Sequence, residues 1–132
     1  MARARPVLVG LLAVVLGLLP AHAQPGDASH KQDCFFRDDF QNWRSPDPAT
    51  VYIRVRPDHY YRLDLAGQCR RLQSPGAHLI NSSRGKSTIC SPLDWDLRVT
   101  EQTGEAPEQC AVRSMTRLNP AEVDAIPKGF KP

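Results

Sequence analysis

Residues 50–65 read TVYIRVRPDHYYRLDL, and the pattern of this stretch decides the fold. Val51, Ile53 and Val55 alternate with Tyr52 and Arg54. Tyr61, Leu63 and Leu65 alternate with Arg62 and Asp64. Alternation with period two marks strands that bury one face, here Thr50–Val55 and Tyr60–Leu65. Arg56-Pro57-Asp58 between them is turn chemistry, so the two strands form a hairpin. The apolar residues must share one face. That requires an odd loop length, because a one-residue slip turns every side chain over. A three-residue loop, Arg56–Asp58, sets Ile53 against Tyr61 and Val51 against Leu63. It also sets Tyr52 opposite Arg62 and Arg54 opposite Tyr60, which are favourable cross-strand neighbours. A five-residue loop would oppose Arg54 to Arg62, which is unfavourable.

Shorter strand signals follow the hairpin. His78–Asn81 and Ser87–Cys90 read as short strands around a polar loop. Trp95, Leu97 and Val99 alternate with Asp96 and Arg98, which gives another strand. Cys110–Leu118 reads as the last strand, although Ala111, Met115 and Leu118 also fit a helical stripe. Asn119-Pro120-Ala121-Glu122 is a helix start, with an N-cap residue, Pro at N1 and Glu at N3. Pro127 keeps that helix short. Before the hairpin, Cys34–Arg44 is ambiguous. Phe36, Phe40 and Trp43 suit a helix face, whereas Phe36, Asp38 and Phe40 suit a strand. Ser45-Pro46-Asp47-Pro48 reads as a turn. The expected fold is therefore mainly β, a β-rich α+β domain. It is a small antiparallel sheet or partial barrel of five to six strands, with one or two short helices and two disulfides.

The N-terminus sets the compartment. Arg3 and Arg5 precede an uncharged apolar run, Val7–Leu19, and Pro20 and Ala21-His22-Ala23 follow it. This is the three-part pattern of a cleavable signal peptide. Thirteen apolar residues are too few for a spanning helix, which needs about 20. Cleavage after Ala23 leaves 109 of the 132 residues. The basic count falls from 17 to 15 against 14 acidic residues, so the net charge drops from +3 to +1. Such a balance lacks the basic excess of a nucleic-acid binder. The expected organisation is a signal peptide over 1–23, a flexible leader over 24–33, one domain over 34–127 and a frayed tail over 128–132. The expected location is periplasmic or extracellular, with no stable membrane insertion after cleavage.

All four cysteines, Cys34, Cys69, Cys90 and Cys110, lie past the leader. In a short exported chain they imply two disulfides. Three pairings are possible. Cys34–Cys110 with Cys69–Cys90 is preferred, because it ties the start of the domain to its end. Oxidised cysteines remove thiol catalysis, and no C-x-x-C pair marks a metal ribbon or a redox site.

Other candidate chemistry is thin. Gly85-Lys86-Ser87-Thr88 resembles the end of a phosphate loop, but Ile80 stands where the first glycine is needed. Asn81-Ser82-Ser83 is a chance glycosylation match. Asp38 with Asp39, and Asp94 with Asp96, form two carboxylate clusters without the glycine spacing of a calcium loop. A small hydrolase using His59 or His78 with a nearby carboxylate is the enzymatic alternative, yet no nucleophile motif marks a serine. The most suggestive surface is the polar face of the hairpin, Tyr52, Arg54, Tyr60 and Arg62, with Arg70 and Arg71 beyond. Arginines beside tyrosines can grip anionic ligands. The expected role is a non-catalytic binding or interaction module, without cofactor or metal. Its partner is an envelope protein or a small anionic ligand.

These residues also carry a family resemblance. The chain resembles the small exported four-cysteine proteins of unknown function common in proteobacteria. The shared features here are Cys34, Thr50-Val51-Tyr52, Tyr61-Arg62-Leu63 and Leu65-Ala66-Gly67-Gln68-Cys69. Cys90-Ser91 ahead of Asp94 and Asp96, and then Cys110, complete the pattern. The resemblance spans roughly Cys34–Leu118. It implies an exported setting and a shared fold, and no activity. Two disulfides should appear as a gain of four hydrogens in the intact mass on reduction; an unchanged mass would refute them.

Overall fold

The computed structural model describes residues 33–101 and 105–132; the signal segment and most of the leader lie outside the described residues. The strands are β1 (Phe35–Phe36), β2 (Phe40–Asp47), β3 (Thr50–Val55), β4 (His59–Leu65), β5 (His78–Ser83), β6 (Thr88–Ile89), β7 (Trp95–Thr100), β8 (Glu108–Gln109) and β9 (Val112–Arg117). One α-helix, α1 (Pro120–Asp124), follows β9. Single 3-10 turns occupy Arg37–Asp39, Arg70–Gln73 and Pro92–Asp94. The strands form three open antiparallel sheets, ordered β2-β3-β4-β9, β5-β7-β8 and β1-β6. Six strands are six residues or longer, and the other three are two-residue bridges. The fold is mainly β, as expected, but its strands divide among sheets rather than curling into one. No helix among the described residues is long and apolar enough to cross a membrane.

The β3–β4 register is the one that the alternation demands. Val51 faces Leu63, Ile53 faces Tyr61, Tyr52 faces Arg62 and Arg54 faces Tyr60 across a three-residue loop. Arg56 opens this loop at φ 64°, in the left-handed region that disfavours a side chain. Asp39 holds it there. Its backbone carbonyl accepts from the Arg56 amide at 3.1 Å, and its Oδ2 accepts from Arg56 Nε at 2.9 Å and Nη2 at 2.6 Å.

The inward residues of β3 and β4 are almost fully buried, and they join Trp95, Leu97 and Val99 of β7 in one core. Each such side chain contributes about 1.5–3 kcal/mol of burial. Phe35 stands between the sheets, 4.9 Å from the Tyr61 ring and 5.8 Å from Trp95. Trp95 Nε1 donates to Met115 Sδ of β9 at 3.4 Å, which gives the buried indole a partner.

The ambiguous segment is two strands, β1 and the start of β2, joined by the 3-10 turn Arg37–Asp39. A register shift between Phe40 and Asn42 lets both Phe40 and Trp43 pack on the core. The three-residue spacing that imitates a helix face is thus a bulge. Phe36, the third member of the supposed stripe, is 54% exposed. The expected turn at Ser45–Pro48 moves to Pro48-Ala49. Pro46 is tolerated inside β2 because β2 is an edge strand with a second register shift between Arg44 and Asp47.

The disulfides are Cys34–Cys90 and Cys69–Cys110, so the preferred pairing of Cys34 with Cys110 and Cys69 with Cys90 is corrected. Strand pairing explains the outcome. β1 and β6 set Phe35 against Ile89, and the next step of that register places Cys34 opposite Cys90. β9 pairs with β4, so Cys110 enters β9 beside the end of β4, where Cys69 follows. The bond from the Ala66 amide to the Ala111 carbonyl closes this end. By chain entropy each closure, over 56 and 41 residues, contributes about 4 kcal/mol taken singly.

The expected helix is present as α1. The Asn119 side chain accepts from the Glu122 amide at 3.0 Å, and the Glu122 carboxylate accepts from the Asn119 amide at 2.8 Å. Beyond α1 the chain turns at Gly129, the Phe130 amide donates to Pro127 O at 3.0 Å, and Pro132 is buried. Replacing Ile53 with alanine should cost about 2–5 kcal/mol in urea unfolding, the usual range for a truncated core side chain. A loss under about 1 kcal/mol would contradict the central position of β3.

Candidate functional site

The four-stranded sheet has two faces of opposite character. The inner one is the core. The outer one carries Tyr52, Arg54, Tyr60 and Arg62, brought together by the hairpin as two cross-strand pairs. The adjoining strands add Asn42 and Arg44 on one side and Ser114 and Thr116 on the other. Arg62 Nε donates to Asp64 Oδ1 at 2.8 Å, and this bond raises the pKa of the already cationic guanidinium. Arg54 differs. Its Nε is buried and has no hydrogen-bond partner. Such an unmet donor costs about 1–3 kcal/mol.

The C-terminal segment lies on this face. Glu122, Ala125 and Ile126 line a cleft of about 530 Å³ together with Tyr52, Arg62, Asp64 and Thr116 of the sheet. On the other side of α1, Val123 and Asp124 border a second cleft of about 570 Å³ with His59, Tyr60 and Arg117. Lys131 Nζ stands 5.8 Å from the centre of the Tyr60 ring, at the outer limit of a cation–π contact. Phe130 reaches a third depression beside Trp43, Arg44 and Ser45. Val123 and Ile126 are each 8% exposed. A signal for this cover lies in the spacing of Val123 and Ile126: two apolar residues three apart, in and just past a short capped helix, must find a surface to sit on.

The remaining candidates have structural duties. Arg71 is committed elsewhere, its Nη1 donating to Ala106 O at 2.8 Å and its amide to Glu108 Oε2 at 3.1 Å. His59 Nε2 is 3.7 Å from Asp58 Oδ1, beyond hydrogen-bond reach, and Asp58 is largely exposed. His78 is exposed at the start of β5. Among the described residues no hydrogen bond joins either histidine to a hydroxyl. Among the described residues no three His, Cys, Asp or Glu side chains group to hold a metal. Gly85 takes φ 80° in the turn before β6, and the Ser87 carbonyl accepts from the Arg37 amide at 2.8 Å.

The carboxylate clusters are also structural. Asp38 pairs with Arg37, and Asp39 holds the hairpin loop. Asp94 Oδ2 accepts from the Cys90 amide at 2.9 Å, the Ser91 amide at 2.9 Å and the Ser91 hydroxyl at 3.1 Å. These bonds, led by that from Cys90, hold the Asp94 carboxyl below the ordinary carboxylate range. Asp96 is lowered mainly by its hydrogen bond from Arg98, whose Nη2 lies 2.6 Å from Oδ2.

Fold and site together define a small disulfide-stapled β protein with a roofed arginine–tyrosine face and no assembled catalytic group among the described residues. The chain belongs to a family of unknown function, DUF6491, whose model matches residues 4–128. No curated protein and no solved structure matches it.

A carboxylate whose pKa is depressed by folding stabilises the protein above its unfolded pKa, and that contribution is lost as pH falls through the folded value. Asp94→Asn should therefore lower stability near pH 7 by about 1 kcal/mol, as for a lost cap. It should also flatten the acid limb of the stability profile below about pH 5. Urea titrations from pH 7 down to pH 2 check both. Parallel native and variant profiles would show that Asp94 holds nothing.

Proposed function

We propose that the protein is an exported, non-catalytic binding module of a bacterial cell envelope, periplasmic or extracellular. Its binding face is Tyr52, Arg54, Tyr60 and Arg62, and its ligand is a small anion or an envelope protein that presents one. The observation that carries this reading is the unmet Nε of Arg54 on a face that also carries Arg62 and two tyrosines. A structural arginine normally finds its carboxylate, as Arg56, Arg62 and Arg98 do here. A guanidinium with a free donor beside aromatic rings suits an oxyanion.

Export rests on other grounds. The leader has basic, apolar and small-residue parts in order. The family match begins at residue 4, so it takes in that leader. Two disulfides fit an oxidising compartment. The four-cysteine resemblance supports a proteobacterial origin.

Expression with the native leader in a Gram-negative host tests both parts. The osmotic-shock fraction should contain a chain that begins at Gln24. Pull-down from an envelope extract should capture a partner that the Arg54→Met, Arg62→Met double variant loses. A full-length cytoplasmic product would overturn the export reading. Equal capture by the variant would overturn the assigned face.

A further inference from the structure

The C-terminal segment covers the binding face without being bonded to it. Every hydrogen bond of Asn119–Pro132 described in the structure has its partner inside the segment: the Asn119–Glu122 cap, the helical turn of α1, the Phe130–Pro127 turn and Lys131 to Asp124 at 3.5 Å. Its hold on the sheet is side-chain packing, through Val123, Ile126 and the Lys131 contact with Tyr60. The clefts that the segment borders reach every strand of the sheet. Val123 lines one with Tyr60 of β4 and Arg117 of β9, Ile126 one with Tyr52 of β3, and Phe130 one with Arg44 of β2. The core of the sheet, by contrast, is tied by strand pairing and disulfides.

Three consequences follow. The segment can leave without breaking a backbone hydrogen bond to the sheet. α1 has five residues, too few to persist as an isolated helix, so a released segment becomes an ordinary flexible tail. The docked form leaves Arg54 Nε unmet, whereas a form with an oxyanion bound there satisfies it.

We propose that Asn119–Pro132 is a displaceable strap on the arginine–tyrosine face, and that its release admits a small phosphate- or carboxylate-type anion to Arg54. The proposal rests on the reading of that face as an anion-binding surface. Docked strap and bound anion are alternatives. The apparent affinity of the intact protein is then reduced by the fraction of time the strap is open, and loosening the strap restores it.

The test uses the oxidised mature chain and inorganic phosphate as the probe. Native-state hydrogen exchange should show the amides of Val123, Ala125 and Ile126 opening at least about 100-fold more readily than those of Val51 and Ile53. The Val123→Ala, Ile126→Ala double variant should bind phosphate about tenfold or more tightly than the native chain by calorimetry. Arg54→Met in that background should abolish the gain. Lys131→Ala, which removes the Tyr60 contact together with the Asp124 ion pair, should shift affinity in the same direction by less. It serves as the second probe if the double variant does not fold. Strap amides that exchange only with the core would overturn the proposal, as would equal phosphate affinity with and without the loosening substitutions. Equal affinity would leave the binding face itself standing. Failure of every chain to bind phosphate also overturns the strap as an anion gate, while partner capture through Arg62 would survive as a separate result. Binding to phosphatidylglycerol vesicles without binding of free phosphate would identify a membrane surface as the anion source and overturn the small-ligand form.

Discussion

The three-residue connection between β3 and β4 is the constraint on which the rest depends. It forces Val51, Ile53 and Val55 to one side of the sheet with Tyr61, Leu63 and Leu65. A shift of one residue would expose that whole set and bury Arg54, Arg62 and Asp64 in its place. Burying these charges, Arg54 without a partner among them, is far costlier than the loop strain. The left-handed backbone at Arg56 is therefore tolerated, and Asp39 offsets it with a carbonyl and a carboxylate. Asp39 lies on the turn between β1 and β2, so the same contact fixes how the N-terminal ribbon meets the hairpin.

The disulfides follow from this arrangement. β9 completes the sheet beside β4, and its entry places Cys110 next to Cys69. The β1–β6 ribbon puts Phe35 into the core and leaves Cys34 facing Cys90. The two bridges are interlaced along the chain. Each closes a junction that hydrogen bonding has already formed. The Asp94 carboxylate gathers the Cys90 and Ser91 amides on the chain leading out of the ribbon, beside the first bridge. Bridge and carboxylate act on the same few residues.

This explains which parts of the molecule were legible in the sequence. The hairpin register was readable to the residue, because alternation, loop parity and cross-strand charge all gave one answer. The α1 cap was equally readable, since Asn119, Pro120 and Glu122 are local signals. The cysteine pairing was not, because it depends on β9 returning to β4, a contact between residues some fifty positions apart. The Cys34–Arg44 segment misled through a bulge, whose extra residue turns a strand's spacing of two into a helix-like three. The register sets Tyr52, Arg54, Tyr60 and Arg62 on one face, as alternation requires, but nothing local showed that Asn119–Pro132 would lie across it. That cover is recorded in the sequence only as the need of Val123 and Ile126 for an apolar partner.

The two faces of the four-stranded sheet are stabilised by different means, and the difference bears on function. The inner face is locked by packed side chains, by Trp95 bonded to Met115, and by two covalent bridges, one at the end of the β1–β6 ribbon and one beside the β4–β9 pair. The outer face is covered by a short helix and a tail that contribute packing alone. Proteins open locally where buried apolar contacts are few and where few hydrogen bonds tie a segment to the rest. By that criterion the outer cover is weakly anchored, and it lies on the face that carries the unmet donor of Arg54. Arg62 has Asp64 at 2.8 Å and gains little from a new anion, whereas Arg54 has a donor still to be met. The β3–β4 register that builds the core thus also sets the one unmatched guanidinium of the hairpin beside Tyr60, the ring that the C-terminal tail touches through Lys131.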